Sequence, residues 1–168
     1  RPPHPDGDRP LEDFRGGIAA MSDYNSTPLK PARDVKTPPG WDLAEQFDPF
    51  EASLGPYFQR MHEGGREFAF VLDDRHINAQ GVAHGGALLT FADAALGYAI
   101  WEATDRAPCV TVSQQSNFLS PAVAGDLITC RPEVVRKARE VIFMRADFMT
   151  GDRIVFTATA IWRIWPKA

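Results

Sequence analysis

Two cysteines in 168 residues, Cys109 and Cys130, are too few for a disulfide framework, and they lack metal-ligand spacing. They read as buried thiols of a cytoplasmic protein. The four histidines include no pair at helical ligand spacing, so neither a metal nor another cofactor is implied. Positive charge is not in excess: 18 Lys+Arg against 22 Asp+Glu leave a net −4, which argues against a nucleic-acid partner. There is no long apolar run either. The nearest, Ala87 to Trp101, is broken by Thr90 and Asp93 and falls short of the ~20 residues that cross a bilayer, so no membrane partner is expected.

Residues 1–40 are poor in aromatics, holding Phe14 and Tyr24 out of 18, and rich in proline, holding 8 of 14. Such a stretch buries too little apolar surface to order itself, and we expect a disordered or poorly ordered tail there. It carries six acidic and six basic residues and no secretory pattern, and Met21 is a candidate start with residues 1–20 upstream of it. Residues 41–168 suit one compact domain, with 44% hydrophobic and 24% charged residues across the chain.

Within that domain the spacing of Leu43, Phe47, Leu54, Tyr57, Phe58 and Met61, interrupted by Pro49 and Pro56, predicts short helical pieces between Asp42 and Glu63. Arg66–Asp73 alternates as a strand. Gly85–Thr104 is apolar on nearly every side, which predicts a helix enclosed by the rest of the fold. Four alternating runs follow, Pro108–Leu119, Asp126–Lys137, Glu140–Met149 and Arg153–Trp165, with Thr150-Gly151-Asp152 as a hairpin signal. Pro132 marks an edge or a bulge. The layout is α+β, a largely antiparallel sheet covering one central helix.

The stretch from His76 to Gly86, feeding straight into the enclosed helix, is chemically the most informative. Gly85 and Gly86 at a helix start leave N–H groups unpaired beside the positive end of the helix dipole, where an anion or a developing oxyanion is favoured. A glycine-rich turn that lets a helix pack closely has the same composition. Asp93 lies seven residues after Gly86, close to two turns, on the same side of the helix among Phe91, Ala92, Ala94 and Ala95. A carboxylate there is costly unless it is paired, protonated or used, and together with the donor-rich helix start it points to a base or nucleophile.

The string Asn78-x-x-Gly81-x-x-His84-Gly85-Gly86 with Asp93, then Val110-Thr111-Val112 and Phe118-Leu119-Ser120-Pro121-Ala122 with Gly125, resembles the PaaI-type acyl-CoA thioesterases of the hotdog-fold superfamily over residues 54–165. The resemblance implies a curved antiparallel sheet around one long helix, and hydrolysis of acyl-CoA or aroyl-CoA. It implies that the Gly85 N–H polarises the thioester carbonyl, that Asp93 is nucleophile or base, and that Asn78 orients the thioester or the water. His84 and Gly86 would shape the substrate loop, with His84 fixing it by hydrogen bonding, and Thr111 would stand near the attacking water. It also implies a homo-oligomer, a dimer or a dimer of dimers, in which Asn78 and Gly85 of one subunit face Asp93 of the other.

Arg136, Lys137 and Arg139 form a basic link that is a candidate for the phosphates of coenzyme A, although a solvated hairpin tip has the same composition. Pocket depth would depend on Phe58, Met61, Tyr98 and Trp101. His62 and His76 fall in surface or loop segments, and Trp162 and Trp165 on opposite faces of the last strand. Two alternatives compete on the same fold. A hydratase or dehydratase would need a His–acid pair, yet nine residues of helix turn His84 and Asp93 to opposite sides. A non-catalytic acyl-CoA binding module would bind without turnover.

Overall fold

The computed structural model describes residues 28–31, 33–45 and 48–165. In chain order these form β1 (Asp42–Leu43), α1 (Pro49–Leu54), β2 (Tyr57–His62), β3 (Gly65–Val71) and a short 3-10 turn at Asp74–His76. The long helix α2 (Gly85–Ala103) follows, then β4 (Cys109–Phe118), β5 (Leu127–Cys130), β6 (Glu133–Lys137), β7 (Val141–Thr150) and β8 (Arg153–Ile164). The strands make one sheet in the order β1-β2-β3-β5-β7-β8-β4, with β6 added along β7 and every pairing antiparallel. The sheet curves around α2, as the sequence pattern predicts.

Apolar residues on several sides of α2 explain the enclosure. Leu88, Phe91, Ala92, Ala95, Leu96 and Ile100 are all buried, and they meet the inward residues of β3, β7 and β8 in one cluster. Phe91 is its hub, with ring centroids 5.2 Å from Tyr57, 5.4 Å from Phe70 and 5.6 Å from Phe148. Gly97 lets the Trp162 indole lie against the helix, since a Cβ there would stand 3.1 Å from the ring. The helix stops where Asp105 and Arg106 turn left-handed, with φ of 52° and 57°, and Lys137 Nζ caps the Ala103 carbonyl at 2.7 Å.

Two expectations need correction. Of the helical pieces foreseen between Asp42 and Glu63, only α1 is helical, and Tyr57–His62 is a strand. The reason is that β2 is covered on both faces: Tyr57 joins the main core while Phe58 packs outward with Trp41 and Ala69. A strand buried on both sides loses its period of two. Phe47 lies outside the described residues. Pro132 does more than bulge a continuous strand, because it falls in the gap that divides β5 from β6. The bulge itself lies further on, between Val134 and Arg136. The Gly151 turn closes the β7–β8 hairpin as expected, with Thr150 paired to Arg153 and Gly151 at φ 56°.

Most of the expected tail, 1–40, lies outside the described residues. Of the part described, Val35 packs against Trp41, Phe58 and Ala69. Both cysteines are free thiols, Cys130 buried and Cys109 partly so. Among the described residues no helix is long and apolar enough to cross a membrane.

Candidate active site

The loop into α2 is tied down by side chains. His76 is a buried residue at 1% exposure rather than a surface one. Its Nδ1 accepts from the Asp73 amide and its Nε2 donates to the Leu54 carbonyl, both at 2.9 Å, and burial pushes its proton affinity down. Asn78 closes the next turn: its Oδ1 accepts from Gln80 N at 2.8 Å and Val82 N at 3.3 Å. Its Nδ2 has no acceptor among the described residues.

At the start of α2 most orphan amides are spent. His84 is the N-cap, its Nδ1 accepting from Gly86 N at 2.9 Å and its carbonyl accepting from Ala87 and Leu88. The Gly85 N–H has no acceptor among the described residues. Of the two glycines proposed for substrate, Gly85 therefore offers the free donor and Gly86 does not. Gly85 and Asn78 share a cleft of ≈ 400 Å³ with Leu88, Phe118 and Ser120. The Phe118 ring would come within 3.2 Å of a Cβ on Gly85, so backbone approach is possible only while that position is bare.

Asp93 sits eight residues along the same helix, about 12 Å from Gly85. It is half-buried, and its Oδ1 accepts a 2.7 Å hydrogen bond from the Thr111 hydroxyl. A β-bulge makes that bond. Thr111 pairs with Trp162 and Ser113 with Ile161, leaving Val112 as the extra residue of β4. Simple alternation would send Thr111 and Gln114 to opposite faces, but with the bulge both reach α2, Gln114 through Nε2 to the Leu89 carbonyl at 3.2 Å. Burial raises the Asp93 carboxyl above its usual range, with Asp48 adding to it and the Thr111 bond opposing.

One residue that sequence reasoning missed lies beside Asp93. Glu51, on α1, lines the same cleft of ≈ 360 Å³, as does Asp48. Burial, then Asp48 and Asp93, push its carboxyl up to about 7, against a 3.4 Å contact from the Tyr98 hydroxyl. The readable signal was Asp48-Pro49, a helix start, which the structure uses: Asp48 Oδ1 accepts from Phe50 N and Glu51 N at 2.7 and 3.0 Å. That start gave no hint that α1 packs against the middle of α2.

Within one chain, then, the structure groups Asn78 with Gly85, and Asp93 with Thr111, in two separate clefts. The basic trio lines neither. Lys137 caps α2, and Arg136 and Arg139 are exposed on β6 and the following turn. His84 binds Gly86 and makes no pair with Asp93. Among the described residues no group of three His, Cys, Asp or Glu side chains is arranged to hold a metal ion.

An antiparallel sheet curved around one enclosed helix is the hotdog arrangement, and here it carries a free amide at the helix start and a half-buried carboxylate two turns on. A profile of the thioesterase superfamily matches residues 80–157. A protein named putative esterase PA0474, of Pseudomonas aeruginosa, is 31% identical over 133 residues, 77% of this chain and 98% of that protein. A phenylacetic acid degradation-related protein of Ralstonia eutropha is 30% identical, with a TM-score of 0.62, over 70% of this chain and 91% of the other. A hypothetical thioesterase of Streptococcus pneumoniae solved with coenzyme A is 25% identical, with a TM-score of 0.60, over 66% and 87%. The chain belongs to the thioesterase superfamily, as a hotdog-fold member of PaaI type.

Proposed function

We propose that the protein hydrolyses acyl-CoA or aroyl-CoA thioesters to the free acid and the CoA thiol, at sites completed between two copies of the chain. The observation that carries this reading is the division of the machinery. The donor cleft borders the Phe118 end of β4, and the acid cleft borders Thr111 and Gln114 nearer its start. Among the described residues β4 pairs with β8 on one side only, leaving a ten-residue edge with Val110, Val112 and Phe118 exposed. A two-fold axis beside Gln114 and Gln115 would set the Phe118 end of one β4 against Thr111 of the other. Gly85 and Asn78 of one subunit would then face Asp93 of its partner.

In that arrangement the Gly85 N–H donates to the thioester oxygen as it becomes negative, a contribution on the order of 3 kcal/mol in comparable sites. The Asp93 carboxylate either attacks the carbonyl carbon or takes a proton from the attacking water. The Thr111 hydroxyl holds Asp93 in place and favours its ionised form. Asn78 Nδ2 is the donor left to orient the thioester or the water. The streptococcal relative that holds coenzyme A supports CoA as the thiol. Arg136 and Arg139, both exposed, are the candidates for its phosphates. A panel of short, medium, long and aromatic acyl-CoAs, followed by thiol release, tests the reading. Asp93→Asn should lower kcat by about a hundredfold or more, and near-normal turnover in that variant would remove Asp93 from the mechanism.

A further inference from the structure

We propose that the Asp93 cleft selects acyl groups by charge, accepting uncharged chains and rejecting those that end in a carboxylate, with Glu51 setting how strong the rejection is. The proposal deepens the thioesterase reading and rests on it. Three carboxyl groups, Asp48, Glu51 and Asp93, line the cleft alongside Phe50 and Leu89, and among the described residues no Lys, Arg or His does.

Its hydroxyl protons are also committed. Thr90 Oγ1 donates to the Gly86 carbonyl at 2.9 Å and Thr111 Oγ1 to Asp93. Gln114 gives its amide N–H to Leu89, and its Oε1 is a buried acceptor with no donor. Tyr98 donates to the Glu45 carbonyl as well as reaching Glu51, and the Tyr57 hydroxyl, buried and without a partner among the described residues, does not line the cleft. Arg75, which reaches the end of α1, is bound to the carbonyls of Ser53, Leu54 and Gly55 and paired with Asp73.

An acyl chain such as succinyl carries its carboxylate two methylenes from the thioester carbon, within about 5 Å of it by covalent geometry. Whichever way the chain lies, that charge stays near Asp93, and Glu51 lines the same cleft. At such separations like charges cost about thirtyfold or more in binding, even with the screening of a partly open cleft. While Glu51 keeps its proton, the chain meets one neutral wall. Above about pH 7 that proton is lost and the rejection deepens.

The test compares kcat/KM for succinyl-CoA and for 4-methylpentanoyl-CoA, its uncharged shape analogue, at pH 6 and pH 8.5. The uncharged ester should be preferred by about thirtyfold or more at pH 6, with a wider gap at pH 8.5. Glu51→Gln should keep the gap at pH 6 and abolish its widening. Succinyl-CoA cleaved within about threefold of its analogue at pH 8.5, or the same widening in Glu51→Gln, overturns the proposal. If neither ester nor any member of the acyl-CoA panel is cleaved, the hydrolase reading falls. Calorimetry with thioether analogues of the same two esters then judges charge selection alone. Tighter binding of the uncharged analogue supports it, and equal affinity overturns it.

Discussion

Replacing Glu51 by glutamine should make the protein more stable above about pH 4.5, with the gain growing until about pH 7. The folded chain holds the Glu51 proton far more tightly than an exposed glutamate does, because α1 packs it into a half-buried cleft beside Asp48 and Asp93. With proton affinity raised from 4.5 to about 7, the folded state binds the extra proton throughout that window. Stability therefore falls as pH rises from 4.5 to 7. The penalty is absent below the lower value and complete above the upper one. The full shift corresponds to roughly 3 kcal/mol, and partial solvent access to the cleft brings the expectation to about 2 kcal/mol. Glutamine keeps the shape and removes the charge. Urea unfolding of both proteins at one fixed concentration, at pH 4 and at pH 8, measures the difference. Glu51→Gln should unfold at higher urea at pH 8 and close to the wild-type midpoint at pH 4. Equal midpoints at pH 8, or a gain that does not change with pH, would refute the reasoning.

Other variants probe neighbouring parts. Thr111→Val removes the hydrogen bond that opposes Asp93 neutralisation, so the acid limb of the kcat/KM profile should move to higher pH. An unmoved limb would mean that Thr111 does not hold the working carboxylate. Gly85→Pro deletes the free amide where proline suits a helix start, and His84 already has the extended ψ of 130° that a following proline demands. Turnover should fall about a hundredfold or more with the fold retained by circular dichroism; unchanged turnover would exclude that amide as the oxyanion donor. Phe91→Ala empties the hub of the core, and a loss of about 3–5 kcal/mol in chemical denaturation is expected.

Much of the architecture was legible because its causes are local. α2 could be read as enclosed from its nearly continuous apolar surface, and β7 and β8 from alternation with one face against that helix. β2 was not legible, since Trp41 and Ala69 cover the face of Phe58 that alternation expects to be wet. Asp93 stood out as a charge among alanines. Its cleft partner Glu51 did not, because a carboxyl on a short exposed-looking helix becomes half-buried only through tertiary packing. The meeting of Thr111 and Gln114 with α2 depends on one extra residue in β4, and nothing local marks Val112 as that residue. Gly85 and Gly86 looked alike in sequence and differ only because the His84 ring takes the amide of the second.

The most direct measurement mixes two inactive proteins. Asp93→Asn and Gly85→Pro chains, each lacking one half of the machinery, are co-expressed in equal amounts, and the unfractionated mixture is assayed for thiol release. If acid and amide work across a two-fold edge, random pairing should restore about a quarter of the wild-type activity, one intact site in each hybrid dimer. If the mixture stays as inactive as either parent, acid and amide of the same chain act together and the shared site is wrong.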